Sequence, residues 1–130
     1  GAQLLIVMNA SPFHKGKSQE REKAMQLRAQ ATGLPLVYAH LVGAQDEVVF
    51  EGRSFALNAQ GQVCARAPSF QACAFDLTLD LSAASALSGP LSAETSLESD
   101  LWHALVLGVR DYLGKNGFLD VELFYNGFYD

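Results

Sequence analysis

The hydrophobic pattern of the first 42 residues predicts a strand, a helix and a second strand. Residues 3–9 hold the apolar run LLIVM, which is typical of a strand buried on both faces of a sheet. Apolar residues recur at helical spacing over residues 18–31, and residues 36–42 form another apolar run. We therefore expect a βαβ unit with parallel strands and a right-handed crossover.

The helix predicted over residues 18–31 is amphipathic. Its apolar positions define the face that we expect to lie on the sheet: Ala24, Leu27 and Ala31. The opposite face, which includes Arg21, is polar and is expected to face solvent. Ser18 is the expected N-cap, and Gly33 is the residue expected to end the helix.

Shorter strands are predicted in the middle of the chain. Residues 48–50 and 54–57 predict strands joined by a turn, and residues 63–67 predict a hairpin partner after the turn at 58–61. Residues 74–81 alternate between apolar and polar, which predicts a strand with one solvated face. The apolar side chains on its other face are Phe75, Leu77, Leu79 and Leu81.

The last third of the chain has a different character. Residues 82–96 are rich in serine and alanine and predict a linker. A second amphipathic helix is predicted from about residue 94 to residue 113, and residues 121–125 predict a final strand. The apolar positions of that helix are Leu97, Leu101, Leu105, Val109 and Leu113.

The composition argues against several classes of partner. A formal net charge of −5 argues against a nucleic-acid backbone, which needs a basic face. No apolar run approaches the ~20 residues of a membrane span. The two cysteines are too few for a disulfide framework, so we expect a cytoplasmic location. The apolar run at the start of the sequence predicts a piece of a longer polypeptide.

The polar end of the first predicted strand is the best candidate site. Ser11, Lys15 and Lys17 follow that strand, and α/β proteins bind ligands just beyond strand ends. We interpret Ser11 as a hydroxyl that holds a small polar ligand, with Lys17 pairing with a carboxylate of that ligand. The alternative is a helix-entry loop with solvated lysines.

The other chemistry-bearing residues are assigned structural roles. Ser11 lacks the G-x-S-x-G context of a nucleophilic serine. Cys64 and Cys73 lie on no strand-to-helix turn and are expected to pack as small apolar residues. Asp76 and Asp80 share a strand face that we expect to be solvated. The histidines are too far apart in the sequence to predict a metal site: His14, His40 and His103.

Four sequence motifs resemble bacterial glutamine-dependent NAD⁺ synthetases. They are NASPFHKGK from residue 9, RAQATGLP from residue 28, LVGAQDEVVFEGRSF from residue 41 and ARAPSF from residue 65, in the order of that family. A fifth stretch, ALVLGVRDY from residue 104, is similar to the start of the family's synthetase domain.

The resemblance implies a fold and a reaction. It implies an α/β chain that forms half of a nitrilase-type α-β-β-α sandwich, with a βαβ unit and β-hairpins, followed by a linker and an amphipathic helix. In such enzymes a glutaminase domain releases ammonia from glutamine. A synthetase domain then uses ATP and Mg²⁺ to amidate nicotinic acid adenine dinucleotide to NAD⁺.

The resemblance also assigns site residues. The catalytic Glu, Lys and Cys of the family precede the matched segment, so it implies no catalytic, cofactor-binding or metal-binding residue in this chain. Ser11 and Lys17 match family positions that contact the bound glutamine. The departures at His40, often asparagine in the family, and at Ala44, a glycine there, are mild.

The resemblance divides the chain into parts. Residues 1–81 correspond to the C-terminal half of the glutaminase domain, residues 82–96 to a linker, and residues 97–130 to the first helix of the synthetase domain with an atypical tail. The family's SGG-x-DS phosphate loop is absent from that tail, which predicts a truncated chain.

We therefore expect the isolated chain to be an inactive fragment of the parent ligase. The alternative hypothesis is a non-catalytic assembly or small-molecule-binding module derived from a nitrilase fold. Half a sandwich leaves a sheet edge and a sheet face uncovered, so a homo-oligomer is expected.

Overall fold

The chain alternates short strands with two helices in a computed structural model that describes residues 1–82 and 86–117. The strand predicted at 121–125 lies outside these residues. The elements are β1 (Leu5–Asn9), α1 (Lys17–Thr32), β2 (Leu36–His40), β3 (Val42–Gln45), β4 (Val48–Glu51), β5 (Phe55–Leu57), β6 (Val63–Arg66), β7 (Thr78–Asp80), β8 (Ala86–Ser88) and α2 (Leu97–Asn116).

A four-stranded sheet organises the first half of the chain in the order β1-β2-β5-β6. β1 and β2 are parallel, with Leu5 opposite Leu36, and α1 connects them. The predicted βαβ unit is therefore confirmed. β5 runs antiparallel to both β2 and β6, which confirms the predicted hairpin.

The main core lies between α1 and one face of this sheet. Alternate residues of β2 and β5 point into it because successive strand residues face opposite sides. The Tyr38 ring stacks on Phe55 with ring centroids 4.9 Å apart. The buried cluster consists of Ala29, Leu36, Tyr38, Phe55 and Leu57.

The face of α1 that packs on the sheet differs from the predicted one. Leu27 is 61% exposed, whereas Arg21 is only 8% exposed and points into the protein. The reason is a buried carboxylate, Glu51, which gives the Arg21 guanidinium a partner. The predicted N-cap is also wrong, because α1 begins after Gly16 at a φ of +79°, while Gly33 ends it as predicted.

β1 is not buried on both faces, contrary to the prediction. It is an edge strand of the sheet, and Ile6 and Met8 are 67% and 85% exposed. Leu5 and Val7, on the other face, pack against the main core. The strand β1 has apolar residues on both faces, although only one face is buried. Hydrophobic periodicity alone therefore does not show which face of the strand is buried.

The apolar run at residues 36–42 divides into two strands. β2 ends at His40, and β3 begins at Val42 and forms a hairpin with β4. Helix α2 packs on this hairpin, where Leu107 is buried among apolar side chains. The members of this second cluster are Ala44, Phe70, Ala104 and Leu107, with Phe13, Val42 and Val49 beside them.

Helix α2 presents a different face to the protein from the predicted one. Leu101 and Leu105 are 44% and 68% exposed, while Ala104 is buried. Polar contacts to a single residue of β3 orient the helix. The Ala44 N–H donates to Asp111 Oδ2 at 2.8 Å, and Lys115 Nζ donates to the Ala44 carbonyl.

The segment predicted as a linker contains a strand. β8 pairs antiparallel with β7, and Leu87 is buried against β5 and β6. The Arg66 N–H donates to the Pro90 carbonyl at 2.9 Å, which fastens the following residues to the sheet. Only three residues of the predicted strand 74–81 form a strand, and Leu81 is 56% exposed rather than buried.

Candidate functional site

The candidate loop lies between β1 and α1, as predicted. Ser11 is half-buried within it, and Lys17 is the first residue of α1. The Phe13 N–H donates to the Val49 carbonyl at 2.7 Å, and the Phe13 ring packs edge-on against Phe70 with centroids 5.5 Å apart. Both the main chain and an aromatic anchor therefore hold this loop against its neighbours.

The main chain of Ser11 is held by two buried side chains. Arg21 Nη2 donates to the Ser11 carbonyl at 3.1 Å and to the Pro12 carbonyl at 3.3 Å. His40 Nε2 lies 3.2 Å from the Ser11 nitrogen and 3.1 Å from its carbonyl oxygen. The position of the Ser11 side chain thus depends on residues from α1 and β2.

A buried ion pair between Arg21 and Glu51 supports this arrangement. Arg21 Nη1 pairs with Glu51 Oε1, and the Ser18 hydroxyl donates to the same oxygen at 3.4 Å. The Glu51 side chain is 2% exposed, so little solvent screens the pair. A cavity of about 10 Å³, comparable to one water molecule, lies beside these groups and Arg53.

The second candidate residue, Lys17, lies at the surface of the loop. Its Nζ donates to Glu20 Oε2 at 3.1 Å, and this contact lowers the pKa of the Glu20 carboxyl. Exposed ion pairs of this kind are weak. Lys17 can therefore exchange its contact with Glu20 for a carboxylate of a bound ligand.

The cysteines occupy different environments, and only one agrees with the prediction. Cys64 is half-buried and donates to the Ala56 carbonyl at 3.3 Å, and burial raises the pKa of its thiol. A raised pKa disfavours the nucleophilic thiolate. Cys73 is exposed rather than packed, because it lies in an irregular segment after Phe70.

The remaining candidates show no catalytic arrangement. His14 is exposed, and His103 on α2 stacks against Phe70 with ring centroids 6.1 Å apart. Asp76 and Asp80 are exposed, in agreement with the predicted solvated face. Within residues 1–82 and 86–117, no group of three His, Cys, Asp or Glu side chains could hold a metal ion, and no helix could span a membrane.

The residues that sequence reasoning missed are the buried polar ones. The hydrophobic pattern places Arg21 on the polar face of a helix and His40 within the apolar run at residues 36–42, yet both side chains hold the candidate loop. Glu51 lies in the predicted turn between residues 50 and 54, and the hydrophobic pattern gives no sign that its carboxylate is buried. One available signal was the polar sequence Glu51-Gly52-Arg53 directly after an apolar strand, because a carboxylate buried there needs a partner.

Comparison with known proteins places this chain among related sequences. The sequence profile described as "Carbon-nitrogen hydrolase" matches residues 1–87. The glutamine-dependent NAD⁺ synthetase of Rhodobacter capsulatus is 38% identical over 130 residues, covering 98% of this chain and 23% of the relative. The synthetase of Synechocystis is 40% identical over 119 residues, covering 91% and 21%.

Solved structures give the same grouping. The glutamine-dependent NAD⁺ synthetase of Acinetobacter baumannii, determined with ADP, superposes with a TM-score of 0.82 at 30% identity, covering 88% of this chain and 22% of that one. The corresponding protein from Cytophaga hutchinsonii, 24% identical with a TM-score of 0.67, shares the fold and covers 89% of this chain and 18% of that one. This chain thus spans about a quarter of the length of the curated relatives it matches.

Proposed function

We propose that this chain, which belongs to the carbon–nitrogen hydrolase family, contributes the glutamine-contacting loop to the glutaminase domain of a glutamine-dependent NAD⁺ synthetase. One observation carries the proposal. The loop before Lys17, whose sequence resembles the family's glutamine-contacting segment, is held at Ser11 by Arg21 of α1 and His40 of β2. A substrate contact needs such a fixed support.

In this proposal the two loop residues have separate roles. The Ser11 hydroxyl contacts the polar groups of glutamine, and the Lys17 ammonium pairs with its α-carboxylate. The Glu, Lys and Cys that break the amide bond belong to a preceding part of the parent enzyme. Ammonia then serves the amidation of nicotinic acid adenine dinucleotide to NAD⁺ in the synthetase domain.

ATP and Mg²⁺ belong to another part of the parent enzyme in this proposal. Among the residues that the structure describes, no group of three His, Cys, Asp or Glu side chains could hold a metal ion. The sequence also lacks the SGG-x-DS loop that would bind pyrophosphate. The residues present therefore do not fit these groups, and we assign no step to them here.

We propose the same division of the chain as the sequence indicates. Residues 1–81 belong to the glutaminase domain and residues 97–130 begin the synthetase domain. Residues 82–96 connect the two, with β8 inside this connection packed on the sheet of the first domain. The contacts of Asp111 and Lys115 with Ala44 would then join the two domains. A cytoplasmic location, supported by the two free cysteines, completes the proposal.

Lys17→Met is expected to raise the KM for glutamine by roughly 10- to 100-fold, because a charge-assisted hydrogen bond contributes about 1.5–3 kcal/mol. The measurement uses a chimera in which this chain replaces the aligned segment of the Rhodobacter capsulatus enzyme. Synthesis driven by added ammonium should be unchanged, since it bypasses glutamine. Ser11→Ala should act in the same direction.

Lys15→Met is the matched control, because Lys15 is an exposed lysine of the same loop. It should leave the KM for glutamine unchanged. The isolated 130-residue chain should release no ammonia from glutamine. Equal effects of the two lysine variants, or hydrolysis by the isolated chain that Cys73→Ser abolishes, would contradict the proposal.

A second candidate function is a non-catalytic module that self-associates. The exposed apolar residues of β1, Ile6 and Met8, and an exposed stripe on α2 favour it. The stripe consists of Leu101, Trp102, Leu105, Val106, Val109 and Tyr112. Light scattering distinguishes the two cases. A homo-oligomer that Ile6→Ser and Met8→Ser dissociate into monomers supports the self-associating module, whereas a monomer at high concentration argues against it.

A further inference from the structure

We infer that His40 is a positioning residue whose neutral ring, with its hydrogen on Nδ1, holds the Ser11 main chain, and that a second proton on Nε2 reverses this contact. The tautomer of the ring and its two contacts with Ser11 follow from interatomic distances. Its consequence for glutamine binding rests on the proposed function.

The carbonyl beside Nδ1 fixes the tautomer. His40 Nδ1 lies 2.9 Å from the Gly52 carbonyl oxygen, and a carbonyl can only accept a hydrogen bond. Nδ1 therefore carries a hydrogen. In the neutral ring Nε2 then has a free lone pair, which is available to accept the Ser11 N–H at 3.2 Å.

The same ring nitrogen also faces an acceptor. Nε2 lies 3.1 Å from the Ser11 carbonyl oxygen, which it can bond only after it gains a proton. One atom thus faces a donor and an acceptor of a single residue. The protonation state of His40 decides which of the two Ser11 groups it contacts.

The surrounding charges favour the neutral ring. Arg21 from α1 already donates to the Ser11 carbonyl, so a second cation there would be repelled. Glu51 from β4 offsets part of this repulsion, and Arg53 lines the same surface depression as His40. Tyr38 stacks on the ring at 5.9 Å. Burial lowers the pKa of His40 below its ordinary 6.5, and Arg21 lowers it further.

The direction of the pH effect follows from these contacts. Above about pH 6.5 the ring is neutral in both the folded and the unfolded chain, and the Ser11 N–H is bonded. Below that pH the His40 ring binds a second proton in the unfolded chain but not in the folded chain, so the free energy of unfolding falls. As pH falls further, through the lowered pKa of the folded state, Nε2 gains a proton, the Ser11 N–H loses its acceptor and the ring contacts the Ser11 carbonyl instead.

Nuclear magnetic resonance on the ¹⁵N-labelled 130-residue chain tests the ring directly. At about pH 7.5 the His40 ring nitrogens should show the Nδ1–H tautomer. As the His40 ring takes up its second proton below pH 6.5, followed on its own ring nitrogen resonances in the same titration, the hydrogen-exchange protection of the Ser11 amide should fall roughly five- to tenfold, which corresponds to one lost hydrogen bond. The Ala56 amide, in the buried strand β5, reports global opening as a control.

Two variants test the contact of the ring with Gly52 and its contact with Ser11 separately. His40→Gln places an amide near the former Nε2 and removes the titration, so Ser11 protection should no longer depend on pH. His40→Asn can still reach the Gly52 carbonyl but not Ser11, so Ser11 should be exposed to exchange at every pH. An Nε2–H tautomer in the unchanged chain, which does not depend on either variant folding, would overturn the inference, as would unchanged Ser11 protection at low pH.

The chimera separates this inference from the proposed function. If both hold, the KM for glutamine should rise as pH falls, without a matching fall in kcat, and His40→Gln should flatten this rise. If the ring and the Ser11 amide behave as expected but the KM stays constant, His40 positions the loop and the loop does not bind glutamine. That result supports the inference and contradicts the proposed function.

Discussion

Replacing Glu51 with alanine is expected to destabilise the chain by about 3–5 kcal/mol, because it leaves the Arg21 guanidinium buried without its carboxylate. Arg21 is 8% exposed, so solvent compensates for little of this charge. Typical domains unfold with a free energy of about 5–15 kcal/mol, and this variant should therefore lose much of its stability. Urea unfolding followed by circular dichroism measures the change.

Glu20→Ala is the control for this variant. It also removes a carboxylate that pairs with a basic residue of α1, but Glu20 is 64% exposed. Its urea midpoint should match that of the unchanged chain. The double variant Arg21→Met with Glu51→Leu removes both charges and should be more stable than Glu51→Ala. Equal midpoints for Glu51→Ala and Glu20→Ala would contradict the assigned role of the buried pair.

Gly52→Ala is expected to cost about 2–5 kcal/mol for two independent reasons. Gly52 has a φ of +69°, where a side chain costs about 1–2 kcal/mol. Its added Cβ would overlap Val42 Cγ2, and such overpacking costs about 1–3 kcal/mol more. The same urea titration measures the sum.

Two further variants separate these two costs. Gly33→Ala introduces a Cβ at a φ of +63° with no atom within 4 Å, so it should cost only the backbone contribution of about 1–2 kcal/mol. Val42→Ala in the Gly52→Ala background removes the clashing methyl groups. The double variant should therefore be less destabilised than the sum of the single variants. Simple additivity would show that Val42 is not the obstacle.

The order of elements in the first half of the chain was predictable because it follows from local patterns. Two apolar runs separated by a helix with a C-terminal glycine predicted β1, α1 and β2, and the structure confirms them. The turn near Gly61 correctly predicted the β5–β6 hairpin. These features depend on neighbours in sequence, which the pattern records.

The helix faces were not predictable for the same reason. A hydrophobic pattern assigns arginine to solvent, but Arg21 is stabilised inside by Glu51, 30 residues away. In α2 the longest apolar stripe is exposed, and the smaller residues Ala104 and Gly108 allow close approach to the hairpin. Long-range partners decided the orientation of both helices.

The position of the candidate loop in the fold was predictable from the sequence, but the side chains that hold the loop were not. The polar end of an apolar strand indicated the loop of Ser11 and Lys17, whose contact with glutamine stays a prediction. The buried side chains that hold this loop come from distant positions in the sequence: Arg21, His40 and Glu51. Their contacts depend on the tertiary fold.

The attachment of α2 has a consequence for how sequence variation should be interpreted. Asp111 and Lys115 form hydrogen bonds with the main-chain N–H and carbonyl of Ala44, and nearly every residue type has both of these groups. Exchange of alanine for glycine at position 44 therefore leaves the attachment intact, whereas proline would delete its donor. The hydrogen bonds of this junction therefore place no requirement on the side chain at position 44, which is limited instead by its burial against Ala104 and Leu107 of α2.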